Sequence, residues 1–431
     1  MTKIAVVGLG YVGIPVACTF SKKGFDVVGI DIDEAKIKMI NDGICPIVGK
    51  EPGLEELFEE AHNNHGFRAT NDFSKCQEAD AILVSVDTPI DERTKMPGFK
   101  ALKSALSSIG ENLSKGTLVS VESTIAPGTT SKVVKTILEE KSGLKAGEDF
   151  YLAHCPERLK VGRLIYNLVK CNRIIGGINP ESAEKARDLY AHISEGKLFV
   201  TDALTAEVVK TTENAYRDVE IAFANELALI CESLGINVFE TQELVNTSPN
   251  RHMHEPGSGV GGHCLPKDSW LLLYGAGMDP EGSIISIARD INDMMPHHLF
   301  ELTKEAFRES GQDLQGSHVS VMGFAFIEDS DDARNTPALP VIEKLKESGA
   351  RVTTHDPYVD SFEGIELTRD LDEALRDADA VVFVTRHEAY RNLSPDELKS
   401  KMKGRIVVDG RNIFSTSQLQ AIGMIYKAIG K

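Results

Sequence analysis

The chain opens on a pattern typical of a strand, a glycine turn and a helix. Residues 3–7 are mostly apolar, and the segment Gly8–Gly13 follows with glycine at its first, third and sixth positions. A stretch with helical character then continues to Phe20. A second apolar run, Val27–Ile30, stops at Asp31, eighteen residues beyond the last glycine of the turn. This order predicts a β-α-β unit.

Strand patterns recur through the first half of the chain and again in its last third. Apolar runs at 81–86 and 117–121 each lead into polar residues, and the segments 318–323, 351–356, 378–384 and 405–410 repeat the same succession. We therefore predict an α/β fold with two doubly wound, Rossmann-like domains. The second copy lacks the full glycine pattern, since Gly323 is followed by Phe324 and Ala325. It either binds a nucleotide differently or binds none.

A long helical pattern separates the two copies. It begins near Asp202, repeats apolar residues at mostly three- and four-residue spacing, and continues through Ser233, just before Gly235. A helix of that length, over ~40 Å at ~1.5 Å per residue, suits a connection between domains. Its apolar face is larger than one domain needs. We therefore predict a helical central domain and a homodimer that forms through this helix.

Composition and charge narrow the class of protein. A chain of 431 residues is too long for one hydrophobic core, and 42% hydrophobic with 26% charged residues is typical of a globular protein. The 47 basic residues against 65 acidic ones give a net charge of -18, which disfavours nucleic-acid binding. No apolar run approaches the ~20 residues of a membrane span. Seven cysteines without regular spacing indicate reduced thiols, so we expect a cytoplasmic protein without a membrane partner.

The first glycine turn has the chemistry of a dinucleotide site. Gly8 permits the tight turn, Gly10 lets the backbone approach a pyrophosphate, and Gly13 allows close packing of helix on strand. Asp31 would accept hydrogen bonds from a ribose and repel a 2′-phosphate. The segment therefore favours NAD over NADP as the cofactor.

Four of the six residues 257–262 are glycine, and a cysteine, Cys264, follows them. Glycine at this density costs backbone entropy, so a special turn or a close approach of the backbone to a ligand must offset it. A thiol on such a loop, with Lys267 and Asp268 just beyond, is a candidate nucleophile. For most of the other cysteines, packing is the favoured interpretation. We expect no zinc site, because His263 and Cys264 have no paired ligands nearby.

Further polar residues are candidates with two interpretations each. Thr88 and Thr124 follow predicted strands, where open α/β sheets bind ligands, although threonine also caps turns. Lys210 and Asn214 lie four residues apart on one face of the long helix. They could bind an oxyanion together, or they could form a solvated surface. Glu157 places a carboxylate near another predicted strand end.

The chain resembles the UDP-glucose/UDP-N-acetylhexosamine 6-dehydrogenases, NAD-dependent enzymes that oxidise a nucleotide sugar to its uronic acid. The resemblance runs nearly end to end. The segments that carry it are Gly8–Gly13, Glu122–Thr129, Cys155–Arg158, Gly261–Asp268, Asp331–Ala338 and Asp409–Asn412. The last two are similar to the UDP-binding domain of that family.

The resemblance implies a role for each candidate residue. Cys264 would be the nucleophile, Asp268 would orient or activate water, and Lys210 with Asn214 would stabilise oxyanions. Thr124 and Glu157 would act around the bound water and sugar. The implied cofactor contacts are Gly8, Gly10, Tyr11, Val12, Gly13, Asp31, Thr88, Thr124, Lys267 and Arg334. The implied substrate contacts are Glu157, Arg158, Lys210, Asn214, Gly261 and Arg251, the last of which would reach across a dimer interface.

Departures from the UDP-glucose members indicate the N-acetylhexosamine branch. Glu157 is followed by Arg158 and Leu159 where those enzymes have Phe-Leu-Arg-Glu, and His263 stands where they tend to have Ser or Asn. One departure weakens the resemblance, because Ile327 replaces the lysine of the Gly-x-Ala-Phe-Lys segment. The expected reaction is a four-electron oxidation of a UDP-N-acetylhexosamine, with UDP-N-acetylmannosamine favoured, through a cysteine thiohemiacetal and thioester.

Three other functions are kept as alternatives. They are a UDP-glucose 6-dehydrogenase, a single-hydride hydroxy-acid dehydrogenase, and a nucleotide-sugar sensor without activity. The expected organisation is an NAD-binding domain over residues 1–200, a central helical dimerisation domain over 201–312 that carries the cysteine loop, and a UDP-binding domain over 313–431.

Overall fold

The computed structural model of the chain describes residues 2–47, 51–160 and 162–431. It divides into two compact units. Unit 1 comprises Met1–Glu213 and Trp270–Asp279, and unit 2 comprises Asn214–Ser269 and Pro280–Lys431. The three-domain boundaries expected from the sequence stay a prediction.

Unit 1 contains an eight-stranded sheet. Its strands are β1 (Lys3–Val7), β2 (Asp26–Ile30), β3 (Arg68–Thr70), β4 (Ala81–Val84), β5 (Leu118–Val121), β6 (Tyr151–His154), β7 (Arg173–Gly177) and β8 (Leu198–Asp202). The strand order is β3-β2-β1-β4-β5-β6-β7-β8, and β6 pairs with β7 antiparallel while the other neighbours pair in parallel. The strand expected over 81–86 ends earlier, at Val84.

Helices cover both faces of this sheet. They are α1 (Gly13–Lys22), α2 (Glu34–Asn41), α3 (Leu54–His65), α4 (Lys100–Gly110), α5 (Lys135–Ser142), α6 (Leu164–Lys170) and α7 (Pro180–Tyr190). The two faces of β1 show why residues 4–7 are all apolar. Ile4 and Val6 belong to one core cluster, whereas Ala5 and Val7 belong to a second one with Leu102. A strand buried on both faces is typical of parallel sheets.

The long helix predicted from periodicity is α8 (Ala203–Leu234). Its start is fixed by Asp202, whose carboxylate accepts a hydrogen bond from the backbone N–H of Thr205 at 2.9 Å. This is the expected chemistry of an N-cap. Three more helices follow: α9 (Val238–Asn246), α10 (Leu265–Ala276) and α11 (Ile284–Ser310).

Unit 2 contains a six-stranded parallel sheet in the order β11-β10-β9-β12-β13-β14. The strands are β9 (His318–Met322), β10 (Arg351–His355), β11 (Leu367–Thr368), β12 (Ala380–Phe383), β13 (Ile406–Asp409) and β14 (Ile425–Ala428). The helices among them are α12 (Ala338–Glu347), α13 (Leu371–Leu375), α14 (Glu388–Arg391), α15 (Pro395–Lys401) and α16 (Thr416–Ala421). The predicted fold class, with two doubly wound sheets, is confirmed.

Within the described ranges, no helix has both the length and the apolar character that crossing a membrane requires.

Candidate active site

Glycine occurs at the three positions of the first turn for different structural reasons. Gly8 has φ +93°, and an added Cβ would lie 2.6 Å from the carbonyl oxygen of Ser85. A Cβ on Gly13 would lie 1.9 Å from the carbonyl oxygen of Gly8. At Gly10, by contrast, nothing lies within 4 Å of that position. Gly8 and Gly13 therefore serve the packing of the turn, and Gly10 leaves space beside the backbone for a ligand.

The helix that follows this turn has an N-terminus that no side chain caps. Its N-cap residue is Val12, which cannot accept a hydrogen bond through its side chain. Tyr11 and Val12 are half-buried and pack against the core of unit 1. The first N–H groups of a helix have no partner within the helix, and they bind anions well. Together with the open space at Gly10, this arrangement fits the pyrophosphate of NAD.

Asp31 is the acidic residue at the end of β2. Its Oδ2 accepts hydrogen bonds from the Leu9 N–H at 2.8 Å and from Lys36 Nζ at 3.0 Å, and its Oδ1 accepts one from Asp33 N–H at 3.0 Å. Burial alone would raise the pKa of Asp31, but these donors outweigh it and hold the pKa below its usual value. The ionised carboxylate fits a ribose diol and opposes a 2′-phosphate.

Two candidate threonines of unit 1 contact each other. The hydroxyl of Thr88, after β4, donates to the backbone carbonyl of Thr124 at 2.7 Å. Neighbouring Ser123 donates to the carbonyl of Val86 at 2.6 Å. These bonds join the segments after β4 and β5 at the carboxyl edge of the sheet, where open α/β sheets bind ligands.

Glu157 and Arg158 both have charged partners. Glu157 is buried and forms an ion pair with Arg173, the first residue of β7. Arg158 pairs with Glu213 on α8 and also donates to the carbonyl of Asn172 at 2.7 Å. The structure therefore holds both predicted substrate residues in fixed positions.

Lys210 lies on α8 in a region fixed by Glu207. The carboxylate of Glu207 accepts hydrogen bonds from the N–H groups of Gly128 at 2.5 Å and Thr130 at 2.7 Å. These bonds attach the helix to the loop that follows β5. Burial first, and then the nearby charge of Lys210, lower the pKa of His154 to about 3. His154 is therefore neutral at physiological pH.

In unit 2, Cys264 is exposed and stands directly before α10. Its carbonyl accepts the N–H groups of Lys267 at 3.1 Å and of Asp268 at 2.9 Å. Cys264 is thus the residue at the helix N-terminus, where the helix dipole supplies partial positive charge.

Asp268 is completely buried one helical turn from Cys264. Its Oδ2 accepts a hydrogen bond from Asn214 Nδ2 at 2.6 Å, and its Oδ1 lies 2.9 Å from the ammonium nitrogen of Lys267. The structure therefore brings four predicted residues, Asn214, Cys264, Lys267 and Asp268, to one place in unit 2.

The glycine-rich loop packs against the segment that follows β9 in unit 2. A Cβ on Gly261 would lie 2.4 Å from the Cβ of Phe326, and one on Gly262 would lie 2.7 Å from the ring of that residue. The Gly262 N–H donates to the carbonyl of Arg334 at 2.8 Å. Close packing within the protein thus accounts for glycine here.

The two predicted arginines of unit 2 differ in their surroundings. The guanidinium of Arg334 donates to both carboxylate oxygens of Asp332, at 2.9 and 2.6 Å. Arg251 is exposed and follows Asn250, which has φ +62°.

The sequence analysis assigned no role to three buried charged residues of unit 1: Glu122, Arg173 and Glu207. The sequence contains a signal of burial for two of them, Glu122 and Arg173. Glu122 directly follows the apolar residues of β5, and Arg173 directly precedes Ile174 and Ile175. A charge at the end of an apolar strand is uncommon, because burying it requires a partner. That partner cannot be read from local spacing.

Comparisons with known proteins agree along the whole chain. Residues 2–194, 204–294 and 320–416 match the NAD binding, central and UDP binding domains of the UDP-glucose/GDP-mannose dehydrogenase family. The UDP-N-acetyl-D-mannosamine dehydrogenase of Pyrococcus horikoshii is 40% identical, over 100% of this chain and 99% of that protein. The NDP-N-acetyl-D-galactosaminuronic acid dehydrogenase of Ralstonia solanacearum is 36% identical, over 97% of each chain.

Comparison with solved structures indicates the same kind of enzyme. A crystal structure of NDP-N-acetyl-D-galactosaminuronic acid dehydrogenase from Methanosarcina mazei Go1 has 42% identity and a TM-score of 0.90, and covers 100% of this chain and 95% of that one. The structure of UDP-D-ManNAc dehydrogenase from Pyrococcus horikoshii has 39% identity and a TM-score of 0.92, and covers 100% and 99%. The chain belongs to the UDP-glucose/GDP-mannose dehydrogenase family and is an NAD-dependent UDP-sugar dehydrogenase.

Proposed function

We propose that this protein oxidises the C6 hydroxyl of a UDP-N-acetylhexosamine to a carboxylate, and that UDP-N-acetyl-D-mannosamine is its substrate. The relatives support the substrate class, since several named UDP-N-acetyl-D-mannosamine dehydrogenase are 35–40% identical over nearly the whole chain. The observation that carries the reaction type is the position of Cys264, exposed at the N-terminus of α10 beside the buried Asp268.

A nucleophile is required only if oxidation continues beyond the aldehyde. When bound by the Gly8–Gly13 turn and Asp31, NAD supplies the hydride acceptor for each of two oxidations. An aldehyde has no alkoxide from which a hydride can leave. Addition of the Cys264 thiolate to the aldehyde carbon, with protonation of the oxygen, gives a thiohemiacetal that can be oxidised as an alcohol can. Oxidation leaves a thioester, and water then breaks the C–S bond to release the carboxylate and the thiol.

The remaining residues support these steps through charge and hydrogen bonding. Lys210 is a cation, and Asn214 retains amide capacity beyond its bond to Asp268, so both suit oxyanion stabilisation. Asp268 is held by Lys267 and Asn214, which fixes its carboxylate for orienting the water or the thiol. Thr124 and Glu157 act around the sugar and the water.

The decisive experiment counts NADH and product acid together. Wild-type protein is expected to release two NADH per sugar oxidised. Cys264→Ala should bind NAD normally but form uronic acid at least about a thousandfold more slowly. Cys171→Ala, a half-buried cysteine elsewhere, is the matched control and should behave as wild type. Uronic acid formation at a near wild-type rate in Cys264→Ala, or one NADH per sugar in the wild type, contradicts the proposal.

A substrate panel tests the sugar. We expect kcat/KM for UDP-N-acetylmannosamine to exceed that for UDP-glucose by about tenfold or more, because a site that binds an acetamido group leaves polar groups unpaired with glucose. UDP-N-acetylglucosamine and UDP-N-acetylgalactosamine complete the panel. A higher kcat/KM for UDP-glucose would contradict the proposal and favour the alternative function, a UDP-glucose 6-dehydrogenase.

The proposed assembly is a homodimer through α8. Six apolar side chains along one side of this helix are 37–66% exposed: Leu204, Val208, Tyr216, Phe223, Ile230 and Leu234. Isolated proteins rarely expose a continuous apolar strip of this kind. A second copy of α8 would present the same strip across a two-fold axis and bury both.

Sedimentation measurements test the assembly. Phe223→Glu is expected to convert a dimer into a monomer, whereas Met278→Glu, at an equally exposed apolar residue away from α8, leaves the dimer intact. A monomeric wild type, or equal effects of the two changes, contradicts the proposal.

A further inference from the structure

A second carboxyl group, Glu122, is buried near Glu157 in unit 1. Glu122 follows β5 and is 2% exposed. Its Oε2 accepts a hydrogen bond from the hydroxyl of Ser85 at 2.5 Å, and its Oε1 accepts one from the hydroxyl of Tyr190 at 2.8 Å. Ser85 comes from the end of β4 and Tyr190 from the end of α7. Glu122 is therefore fixed on two sides by neutral donors.

Arg173 is the cation in this region. It forms the ion pair with Glu157, donates through Nε to Ser194 Oγ at 2.6 Å, and donates through Nη2 to the carbonyl of Leu168 at 2.9 Å. Its guanidinium carbon also lies 5.0 Å from the centre of the Tyr190 ring. Tyr190 thus contacts Glu122 through its hydroxyl and Arg173 through its ring. Tyr190 therefore connects Glu122 to the ion pair of Arg173 with Glu157.

The groups that face Glu122 come from four elements besides its own. Ser85 follows β4, Cys155 and Glu157 follow β6, Arg173 begins β7, and Tyr190 ends α7. Burial first, and then repulsion by Glu157, raise the pKa of Glu122 to about 7, against the hydrogen bonds of Ser85 and Tyr190 and the attraction of Arg173.

The thiol of Cys155 and the phenol of Tyr190, which also lie beside Glu122, stay neutral. Burial raises the pKa of the Cys155 thiol, and burial likewise raises the pKa of Tyr190 well above its usual value. Of Glu122, Cys155 and Tyr190, Glu122 is therefore the group whose pKa lies near neutrality.

We propose that Glu122 is a positioning residue for Glu157 and acts through Tyr190 and Arg173, because Tyr190 contacts both Glu122 and the ion-pair partner of Glu157. With Glu122 protonated, Arg173 pairs with Glu157 alone and holds its carboxylate firmly. Loss of the proton adds a negative charge that attracts Arg173, so Arg173 holds Glu157 less firmly in its place beside the sugar and the water. This rests on the proposed function, in which Glu157 acts beside the bound sugar and water. The rate of acid formation should then rise as Glu122 ionises.

Glu122→Gln is the direct test, because the amide has the shape of the protonated acid and cannot ionise. Wild-type acid formation in a single turnover should rise between about pH 6 and about pH 8. Glu122→Gln should remain at the low-pH rate across this range, with the dissociation constant for NAD unchanged within about twofold. Glu139→Gln, at a carboxylate on α5 outside this cluster, is the matched control and should keep the wild-type profile.

Two further measurements keep the test from depending only on the folding of Glu122→Gln or only on turnover. One uses the variant Tyr190→Phe, and the other follows the carboxyl group by infrared spectroscopy. Tyr190→Phe removes one donor to the Glu122 carboxylate and should move the rising limb upward by about half to one pH unit. In infrared difference spectra, the carbonyl stretch of a protonated carboxylic acid should titrate in the same range in the wild type and be absent in Glu122→Gln.

Each outcome decides the question. A rising limb that is unchanged in Glu122→Gln or unmoved in Tyr190→Phe, with normal turnover, would overturn this proposal alone. The same holds if the wild type shows no titrating carboxyl band. Absence of acid formation from every UDP-sugar in the wild type would refute the proposed function, and this proposal with it, whatever the infrared result.

Discussion

Unit 1 and unit 2 begin their sheets in the same way and diverge after the first glycine. Gly8 and Gly323 have φ +93° and +90°, and each donates its N–H at 2.8 Å to the last carbonyl of the neighbouring strand, Ile30 or His355. In unit 1 the turn leads at once into α1, which begins at Gly13. In unit 2 a loop over residues 323–337 precedes α12. A helix N-terminus close to the glycine turn is thus present only in unit 1, among the described residues.

The acidic residue at the end of the second strand differs as well. Asp31 accepts two backbone N–H groups and one lysine. Asp356 is completely buried and accepts four backbone N–H groups, from Phe324, Ala325, Tyr358 and Val359, and lies 3.1 Å from His387 Nε2. Its lone pairs are used within the protein, so it cannot bind a ribose. Strand order and a terminal aspartate therefore do not make a dinucleotide site by themselves, and the match of residues 320–416 to a UDP binding domain agrees with a different mode of binding.

The largest expected effect comes from adding a side chain to Gly13, the last glycine of the turn in unit 1. Gly13→Ala would place a methyl group 1.9 Å from the Gly8 carbonyl oxygen, so the backbone must move. We expect a loss of about 3 kcal/mol in the free energy of unfolding, together with loss of NAD binding. Thermal denaturation without cofactor, followed by calorimetric titration with NAD, measures both. A wild-type melting temperature would show that the turn is more tolerant than its geometry indicates.

Replacing Asp356 or Asp31 by asparagine should distinguish an aspartate that stabilises the fold from one that binds the cofactor. Asp356→Asn places an amide among five donors and should cost about 2–3 kcal/mol of stability, while the folded protein binds NAD normally. Asp31→Asn should cost less stability but weaken NAD binding by about tenfold and reduce the preference for NAD over NADP. If Asp31→Asn left both the affinity and the preference unchanged, Asp31 would be a structural residue like Asp356.

The stability effect at Asp356 should depend on pH. Burial acts to raise its pKa, but His387 and the backbone donors outweigh burial and hold the pKa below the usual value of 3.8. Its stabilising effect is therefore complete above that value and is lost as the pH falls through the lower, folded-state pKa. The difference between wild type and Asp356→Asn, followed by urea denaturation, should be largest near neutral pH and shrink in acid. A difference that grew in acid would contradict this sign.

The smallest expected effect on stability is at Gly10, the middle glycine of the turn in unit 1. Gly10→Ala adds a methyl group into open space, so the melting temperature without NAD should stay within about 1 °C of wild type. NAD affinity should fall several-fold, because the methyl group occupies the space beside the backbone. Ala325→Gly in unit 2 is the matched change and should leave NAD affinity unaltered. Equal NAD affinity in Gly10→Ala and wild type would place the cofactor away from this turn.

Much of the fold could be predicted because its signals are local. The apolar run at Lys3–Val7, the spacing of Gly8 and Gly13, and the periodicity of α8 each lie within a short window of sequence. The family resemblance gave roles to the candidate residues found from local pattern, and it added further candidates: Tyr11, Val12, Arg158, Arg251, Gly261 and Arg334. Their roles remain predictions, whereas the fold class and the NAD cofactor are confirmed.

What could not be predicted depends on residues far apart in the chain. The ion pair of Glu157 with Arg173, and the bonds from Ser85 and Tyr190 to Glu122, join different strands and a helix. Burial determines their charge states, and no spacing rule gives burial at the end of a strand. The reason for glycine at positions 261 and 262 is likewise the ring of Phe326, more than sixty residues later.

The contact of the glycine-rich loop with Phe326 has a consequence for directed evolution of substrate preference. A library randomised at positions 261 and 262 would yield mainly misfolded members, because any side chain there would overlap an aromatic ring of the same protein. Most inactive clones would then be uninformative about the sugar. A smaller residue at 326 would remove the ring contact at position 262, whereas position 261 would still meet the Cβ of residue 326 and the carbonyl oxygen of Asn335, 2.8 Å away. Paired randomisation with 326 is therefore useful at position 262, where it reaches sequences that single-site saturation cannot.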